Sequence, residues 1–422
     1  MLNKALRLFL LAQCLAFAAI SQNFTRSPYS AFGIGELHFG GTVKQAGMGQ
    51  LSLTLNNPFE INATNPTSYG SLLQTVIEAG AEYSSGTLST ATASSPAENY
   101  SFSYFRLAFP VSYKLKWGFG FGLDPYSNTG YDVSSQAVFS DYTATIKQKG
   151  IGGLTRFYSG TGIALFKGFS VGVQASYIFG TLENVQSLII PAQYKRFNLE
   201  NQNRIIAGDF QFQYSFQYQH NLKDTNYRVI IGGSMTQQSN MSAKREFFAK
   251  SMGIGGLMGV VDTIDYQNNI SGDIILPTSY GLGIGLHKKD KWFAGAEANY
   301  TNWSDYRIFG SSDSLFNSFG INAGGYWVPN YLDFKNYFSR IEYRAGIRYD
   351  YGSLKIDGEY IGNLGLSVGL GLPLGKTRNK LNLGFEYLVR GTTKAGLIQE
   401  EYLRFTLGIS VSDKWFTRYK YD

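Results

Sequence analysis

The sequence predicts an all-β protein, a transmembrane antiparallel β-barrel of about 14 strands. The first observation behind this prediction is the segment Arg340–Tyr351, in which charged and apolar residues alternate almost throughout. Successive side chains of a strand point to opposite faces, so this segment presents a charged face and an apolar face to two different surroundings. In a soluble sandwich the apolar face would lie in the core. In a membrane barrel it meets lipid, and the charged face lines a wet lumen.

The second observation is that the same alternation recurs elsewhere. In Tyr402–Ser412 five apolar residues oppose Arg, Thr, Gly and Ser, and Asn382–Arg390 alternates in the same way except at Leu388. Tyr280–Leu286 alternates large apolar residues with glycine. Because several strands share the pattern, it indicates a common architecture with two differently solvated faces.

The third observation is that the connections between the predicted strands alternate in length, as short periplasmic turns and long external loops do in outer-membrane barrels. The short connections each contain lysine and lie at Val111–Lys116, Phe166–Gly168, Asn221–Asn226, His287–Lys291 and Pro373–Lys380. The long connections are predicted at Ser84–Glu98, Asp124–Gly152, Thr181–Gln202, Gln237–Asp273 and Ser304–Phe338.

The composition also favours a membrane barrel. Charged residues make up 16% of the 422 residues, against about 25% in typical soluble chains. Aromatic residues also make up 16%, as expected for a barrel with aromatic girdles. The mean hydropathy of −0.15 argues against a helical membrane protein. Beyond the N-terminal region no uncharged apolar run is long enough for a spanning helix. A membrane-embedded chain of this kind must therefore be a closed barrel.

The N-terminus is typical of a secretory signal peptide, predicted over residues 1–21. Lys4 and Arg7 precede an apolar stretch, and small residues at Ala19 and Ser21 suit signal peptidase. A lipoprotein signal ending at Cys14 is the alternative. Because Cys14 is the only cysteine, a chain cleaved after Ser21 would have no disulfide, thiolate metal site or cysteine nucleophile. Its formal charge would fall from +7 to +5 with the loss of the two cations.

The remaining chain divides into three predicted parts. Residues 22–70 are rich in Gly, Pro and Asn turn signals and alternate little, which indicates a compact irregular segment. Residues 71–412 form the predicted barrel, and residues 413–422 a periplasmic C-terminal tail.

Short motifs in a fixed order resemble the FadL/TodX family of outer-membrane proteins, in the form common in Bacteroidota, over nearly the whole mature chain. The segments that carry the resemblance are Ser27–Tyr29, Phe32–Gly35, Ala46–Gly49, Asn65–Thr67, Trp117–Gly122 followed by Asp124-Pro125, Trp303–Tyr306, Arg390–Thr392 and Asp413–Phe416.

The resemblance implies a fourteen-strand barrel whose N-terminal segment, residues 22–70, folds into the lumen as a hatch. Its hatch motif corresponds here to Asn65, Pro66 and Thr67, with Thr67 standing where the family has Ala. The family's lateral gate, a kink in the third strand that opens toward the bilayer, corresponds to Gly118, Gly120, Gly122 and Pro125. Glycines at this place would lower the cost of bending.

Five arginines are predicted to point into the lumen. One of them could hold the carboxylate of a ligand through a bidentate contact. The alternative is a ladder of ion pairs along the lumen, with Glu342, Asp350 and Glu386 as partners. The candidates are Arg340, Arg344, Arg348, Arg390 and Arg404.

The sequence favours neither an enzyme nor a nucleic-acid-binding protein. His38, His220 and His287 have no metal-ligand spacing, and no catalytic residue, cofactor or metal site is predicted. Gly371–Thr377 ends like a phosphate-binding loop but lacks its first glycine. No Lys/Arg cluster is dense enough for a nucleic-acid backbone.

Two functions are predicted for a protein in the outer membrane of a Gram-negative bacterium, with membrane lipid as its surroundings. The first is passive uptake of long-chain fatty acids or other small hydrophobic compounds, with lateral release through the kinked third strand, as the resemblance implies. The alternative is a barrel without transport activity that serves a protein secretion or assembly complex as partner subunit or cargo carrier. Its long loops would then be docking surfaces. An outer-membrane hydrolase is a third and weaker hypothesis.

Overall fold

The computed structural model describes residues 27–222, 226–254, 259–289, 291–375 and 377–415. The predicted signal peptide, Cys14, and the predicted tail beyond Trp415 lie outside the described residues.

The described residues form a closed, antiparallel barrel of fourteen strands, which confirms the predicted fold class. Each strand pairs with its neighbours, and β14 pairs with β1 to close the ring. The strands are β1 Thr75–Ser89, β2 Ser94–Ser112, β3 Trp117–Val138, β4 Thr143–Phe166, β5 Phe169–Ile189, β6 Asn198–Asn221, β7 Tyr227–Thr236 and Ser239–Met252, β8 Val260–Leu276 and Ser279–Lys288, β9 Trp292–Thr301, β10 Ser318–Trp327, β11 Glu342–Asp350, β12 Asn363–Pro373, β13 Lys380–Arg390 and β14 Gln399–Asp413.

Strands β7 and β8 each consist of two segments separated by a short break. Both segments of β7 pair with β6, and both segments of β8 pair with β7. The other described elements are short. The helical ones are the α-helix Val43–Ala46 and the 3-10 helices Pro28–Ala31, Pro66–Ser71, Ala192–Tyr194, Trp303–Asp305, Phe338–Arg340 and Lys394–Gly396. Two-residue strands lie at Glu36–Leu37, Arg307–Ile308, Lys355–Ile356 and Glu359–Tyr360. None of the helices in the described parts is long and apolar enough to cross a membrane.

Strand β6 shows most clearly how the wall separates two surroundings. Its outward residues are Phe210, Phe212, Tyr214, Phe216 and Tyr218, each 39–54% exposed. The residues between them are mostly glutamine, and Gln217 is fully buried against the interior. The apolar side chains of this strand therefore face outward and the polar ones inward, the reverse of a soluble sandwich.

The segment Arg340–Tyr351 follows the same rule, except that its first residues lie outside the strand. Arg344 and Arg348 point inward and are buried, whereas Ile347 and Tyr349 are exposed on the outer face. The strand begins at Glu342, later than predicted, because the chain turns through the 3-10 helix Phe338–Arg340 before it enters the wall. This turn places Arg340 at the rim.

The wall is uneven in height, and here the predicted long connections were wrong. Strands β3 to β6 have 21–24 residues, whereas β9 to β13 have 9–11, about the length that crosses a bilayer. Most of the predicted loops Ser84–Glu98, Asp124–Gly152, Thr181–Gln202 and Gln237–Asp273 are paired strand. The fifth predicted loop, Ser304–Phe338, contains strand β10.

The extra height lies at one end of the barrel. We call the end where β1 begins and β14 ends the lower rim, and the opposite end the upper rim. Toward the upper rim charged residues appear on the outer face, and Glu183, Arg204 and Glu246 lie side by side across β5, β6 and β7. Arg204 and Glu246 form an ion pair of 3.5 Å. Such polar strands lack the apolar alternation from which the lower strands were predicted.

Residues 27–74, which we call the inner segment, lie within the ring of strands. Ile34 of this segment packs in an apolar cluster with Trp303, Tyr306 and Leu315 of the β9–β10 connection. The cluster continues onto the inner faces of β4 to β8 through Leu154, Ile178, Leu182, Ile205, Ala207, Met241, Ala243, Ile274 and Leu276. A packed apolar core therefore lies along the inner faces of β4 to β8 in the upper part of the barrel.

Candidate functional site: the inner segment and its contacts with the wall

The backbone of the inner segment lies directly on glycines of the barrel wall. A Cβ at Gly118 of β3 would overlap the carbonyl oxygen of Tyr69, and one at Gly232 of β7 that of Leu53. The same holds at other strands, because Cβ atoms at Gly162, Gly172 and Gly346 would overlap the backbone of Pro66, Thr67 and Gly49. Contacts at opposite sides of the ring fix the inner segment across the whole lumen.

The motif Asn65-Pro66-Thr67 forms the tightest turn of the inner segment. Asn65 caps the 3-10 helix Pro66–Ser71, and its Oδ1 accepts hydrogen bonds from the Thr67 N–H (3.3 Å) and the Thr67 hydroxyl (2.6 Å). Its Nδ2 donates to the Leu53 carbonyl at 2.7 Å. Thr67 therefore supplies a hydrogen bond to the turn that an alanine could not supply.

Glu297 of β9 holds a second turn of the inner segment. Its carboxylate accepts hydrogen bonds from the backbone N–H of Ser52 (2.9 and 3.0 Å) and of Thr54 (3.2 Å), and from the Thr54 hydroxyl (3.2 Å). Glu297 is 3% exposed. Because two backbone N–H groups and the Thr54 hydroxyl all donate to it, this one side chain fixes the turn at residues 52–54.

A cluster of alternating charges binds the inner segment to the wall near the lower rim. Lys44 lies 2.6 Å from Glu60 and 3.0 Å from Glu342, and Lys380 lies 2.8 Å from Glu60 and 2.5 Å from Glu342. Burial alone would raise the pKa of the Glu60 carboxyl, but Lys380 and Lys44 lower it to about 2. Glu60 therefore remains charged at neutral pH, and the four groups neutralise one another.

Four of the five candidate arginines are held by carboxylates. Arg344 pairs with Glu342 at 2.9 Å, and Arg348 pairs with Glu386 at 2.5 Å. Glu386 also accepts from Arg404 at 3.0 Å, and Arg404 reaches Glu82 at 3.0 Å. This arrangement matches the ion-pair ladder that was the alternative to a carboxylate-binding site. Asp350, the third expected partner, accepts instead from the Gly352 N–H.

The remaining two candidates lie apart from that ladder. Arg390 pairs with Glu36 of the inner segment at 2.6 Å and with Glu400 at 3.4 Å. Arg340 donates to the Gly375 carbonyl at 2.6 Å, near the lower rim. The five guanidinium groups therefore do not converge on one point in the lumen.

The glycines of the predicted lateral gate are also occupied by close contacts. A Cβ at Gly120 would lie 2.9 Å from the Tyr69 ring, and one at Gly122 would lie 2.5 Å from the Tyr158 hydroxyl. With Gly118 they let the inner segment and β4 approach β3 closely. Pro125 marks a bulge, because the register of β3 against β4 shifts between Pro125 and Ser127.

The wall between β2 and β3 is open above this point. The described pairing of these strands begins at Ser112–Trp117 and ends at Phe105–Leu123. Above it, the two-residue strand Glu36–Leu37 of the inner segment pairs antiparallel with Asn128 and Ser127 of β3. We call the separation between the upper parts of β2 and β3 the seam.

At the base of the seam, Asp124 of β3 binds Arg106 at 3.0 Å and Arg156 at 2.9 Å. Arg106 is fully buried and also donates to the Gly40 carbonyl at 2.8 Å. The inner segment and three neighbouring strands are thus joined by one buried charge network.

A cavity of about 380 Å³ lies above the inner segment. Its lining is mixed, with Gln213, Asn299 and Asn322 of the wall opposite Phe39 and Leu53 of the inner segment. The cavity is not the largely apolar pocket that hydrophobic ligands usually occupy. In the described parts of the chain no three His, Cys, Asp or Glu side chains are grouped closely enough to bind a metal ion.

Sequence reasoning singled out the arginines, the Asn65 turn and the β3 glycines, but not Glu297, the Lys44–Glu60 pair or the ion pairs of Asp124. Glu297 is the one acidic residue of a strand otherwise composed of small, aromatic and amide side chains, and it lies on the inward face. That isolated charge is the signal from which its role could have been inferred.

The closed fourteen-strand barrel belongs to the fold class of FadL-like barrels. Solved structures agree with this class. A FadL homologue of Pseudomonas aeruginosa has 13% identity and a TM-score of 0.58, covering 88% of this chain and 98% of its own. The Ralstonia pickettii toluene transporter TbuX has 12% identity and a TM-score of 0.57, with coverages of 89% and 99%.

The Pseudomonas putida toluene transporter TodX is similar to the same degree, with 12% identity, a TM-score of 0.56 and coverages of 91% and 100%. At these identities the likeness shows the fold, and it confirms the FadL/TodX resemblance at that level. No curated protein sequence matches the chain. The BamG family model matches residues 1–422, and the chain belongs to the BamG family.

Proposed function

We propose that this protein is a plugged outer-membrane barrel that serves a protein complex as a partner subunit, and that it does not conduct. The observation that carries this proposal is that many contacts with the wall fix the inner segment in place. Its backbone rests on wall glycines at β3, β4, β5, β7 and β11, and its charged groups are paired with buried wall residues. Nothing in such an arrangement requires the segment to move.

Moving the inner segment would be costly. Withdrawing Lys44 from Glu342 or Glu36 from Arg390 would break a buried ion pair. Each wall group would keep another partner, Lys380 and Arg344 at Glu342 and Glu400 at Arg390, so the cost is below the roughly 3–5 kcal/mol of a buried charge left unpaired. Removing Ser52 and Thr54 from the Glu297 carboxyl group would add the loss of buried hydrogen bonds. To open a path through the lumen, the inner segment would have to lose these ion pairs and hydrogen bonds together.

The tall side of the barrel supports a role in protein contacts. The β7–β8 hairpin carries exposed apolar side chains at Val260, Val261, Ile264 and Tyr266, in a strand whose outer half is exposed on all sides. These residues stand beyond the rows of outward charge that mark the end of the membrane belt. Exposed apolar groups outside the bilayer are typical of surfaces that bind other proteins.

Uptake of hydrophobic compounds is the second candidate. The observation that favours it is the seam between β2 and β3, which lies beside the lumen and borders the inner segment at Glu36–Leu37. The solved neighbours TbuX and TodX are named as toluene transporters, which makes a hydrophobic compound the natural ligand to test. Lateral release through the third strand belongs to this candidate.

Two measurements separate the partner-subunit role from the uptake role. We expect tagged protein, extracted from native membranes in mild detergent, to carry a second protein in stoichiometric amount. We also expect deletion of the gene to leave the uptake of a fluorescent long-chain fatty acid and of toluene at the parental rate. Recovery of the barrel alone, together with an uptake defect that is restored by the intact gene, would instead establish the transport role.

A further inference from the structure

The upper parts of β2 and β3 are each paired on one side only. In the described residues β2 pairs with β1 from Ser94 at the upper rim downward along the seam, and β3 pairs with β4 up to Val138. Between them the inner segment bonds to β3 from Tyr126 to Gly130. The seam therefore has two open sheet edges in the described residues, one along β3 from Tyr131 to Val138 and the other along β2 from Ser94 to Tyr104.

Two hydrogen bonds show which backbone groups of β3 face the seam. The Tyr126 carbonyl accepts from the His38 N–H at 3.0 Å, and the Gly130 N–H donates to the Ser30 hydroxyl at 3.0 Å. Backbone groups of alternate residues point to the same edge. The N–H and C=O groups of Asp132, Ser134 and Gln136 therefore also face the seam.

These groups are accessible, and the opposite border of the seam is polar. Asp132, Ser134 and Gln136 are exposed. On β2, the buried Asn99 Oδ1 and Ser103 Oγ have no hydrogen-bond partner among the described residues. Native proteins usually cover, shorten or charge an open edge, because it is a template for another strand. Here the edge is long, and its amides are free to pair.

We propose that the edge Tyr131–Val138 of β3 binds an extended segment of the partner protein as an added antiparallel strand. This inference rests on the proposed role as a partner subunit. The chain itself shows that the edge accepts a strand, because Glu36–Leu37 pairs antiparallel with it just below. The added strand would run in the same direction as Glu36–Leu37, with its C-terminal end next to Gly130.

The chemistry of the edge decides the kind of occupant. A row of amide and carbonyl groups is satisfied by an extended backbone, and peptide recognition by strand addition uses these bonds for affinity. A lipid chain offers no such donors or acceptors. In the sheet register Asp132 and Ser134 lie opposite Lys149 and Lys147 of β4, whose side chains point outward. Because charged side chains avoid the lipid core, this part of β3 lies outside the bilayer.

The test combines hydrogen exchange with a single backbone change. Ser134→Pro removes one N–H that faces the seam without removing an N–H bonded to β4, since proline is tolerated on an open edge. Ser134→Ala keeps that N–H and is the matched control. We expect full-length wild type and Ser134→Ala to carry equal amounts of partner from native membranes, and Ser134→Pro to carry at least about tenfold less. Such a loss corresponds to about 1.4 kcal/mol.

Hydrogen exchange of the wild-type complex does not depend on how the variants fold. The amides of residues 131–138 should exchange more slowly in the complex than in barrel stripped of its partner. Partner that stays bound to Ser134→Pro, with an unprotected edge, would overturn the inference and leave the proposed function standing. Protection caused by a second copy of this chain would also overturn it. Absence of any partner would overturn both.

Discussion

Replacing Gly118 by alanine is expected to lower the free energy of unfolding by about 1–3 kcal/mol, the range of an overpacked core. The added methyl group would overlap the Tyr69 carbonyl, which is backbone and cannot rotate away. The inner segment must then shift from β3 and strain the Asn65 turn that precedes it. Thermal unfolding in detergent measures the loss, and limited proteolysis should cut residues 40–70 faster than in the wild type.

Gly259→Ala is the control, because no atom of the described residues lies within 4 Å of a Cβ at that position. The Gly118 experiment also separates two explanations of the β3 glycines. If they serve only to let the strand bend as a gate, an alanine at Gly118 should alter uptake and leave the inner segment as protected as before. Unchanged proteolysis and unfolding would therefore contradict the close-contact explanation.

The second large effect is expected at Glu297. Glu297→Ala removes the acceptor of the Ser52 and Thr54 N–H groups and leaves them buried without partners. Leaving these buried donors unsatisfied costs about 1–3 kcal/mol. Urea unfolding of the purified barrel in detergent measures it, and exchange of the amides of residues 52–54 should become faster.

Glu297→Gln keeps one carbonyl acceptor of the same shape and should lose less stability than the alanine variant. The order wild type, glutamine, alanine is the specific prediction. An alanine variant as stable as wild type would mean that the inner segment is held without Glu297, and the account of this turn would be wrong.

The strands of the membrane belt could be predicted from the sequence because their environment imposes a period of two. In β6 phenylalanine and tyrosine alternate with glutamine and serine, and in β11 arginines alternate with Ile347 and Tyr349. The upper parts of β3 to β8 could not be predicted in this way. Their outward residues include Lys149, Glu183 and Arg204, so the apolar contrast disappears although the backbone pairing continues.

The site was predicted only in part, because its contacts join residues far apart in the chain. Inward arginines follow from strand parity, but parity does not reveal that Arg390 meets Glu36 or that Glu297 meets Ser52. The placement of the hatch came from a family resemblance rather than from its own residues. The Gly118 contact with Tyr69 is backbone against backbone, which carries no side-chain signal in the sequence.

The most direct test of the account asks whether the inner segment ever has to move. A Cβ at Gly285 would lie 3.0 Å from the Thr54 Cβ and 2.7 Å from the edge of the Phe293 ring. Once that ring turns aside, a shift of about 0.5 Å brings the two Cβ atoms to the roughly 3.5–4.5 Å of a disulfide. The variant Thr54→Cys with Gly285→Cys can therefore lock the segment to β8, and reduction provides its own control. We predict that the locked and the reduced forms carry the same amount of partner and show the same uptake of a hydrophobic probe. Uptake present after reduction and abolished by oxidation would contradict a fixed plug.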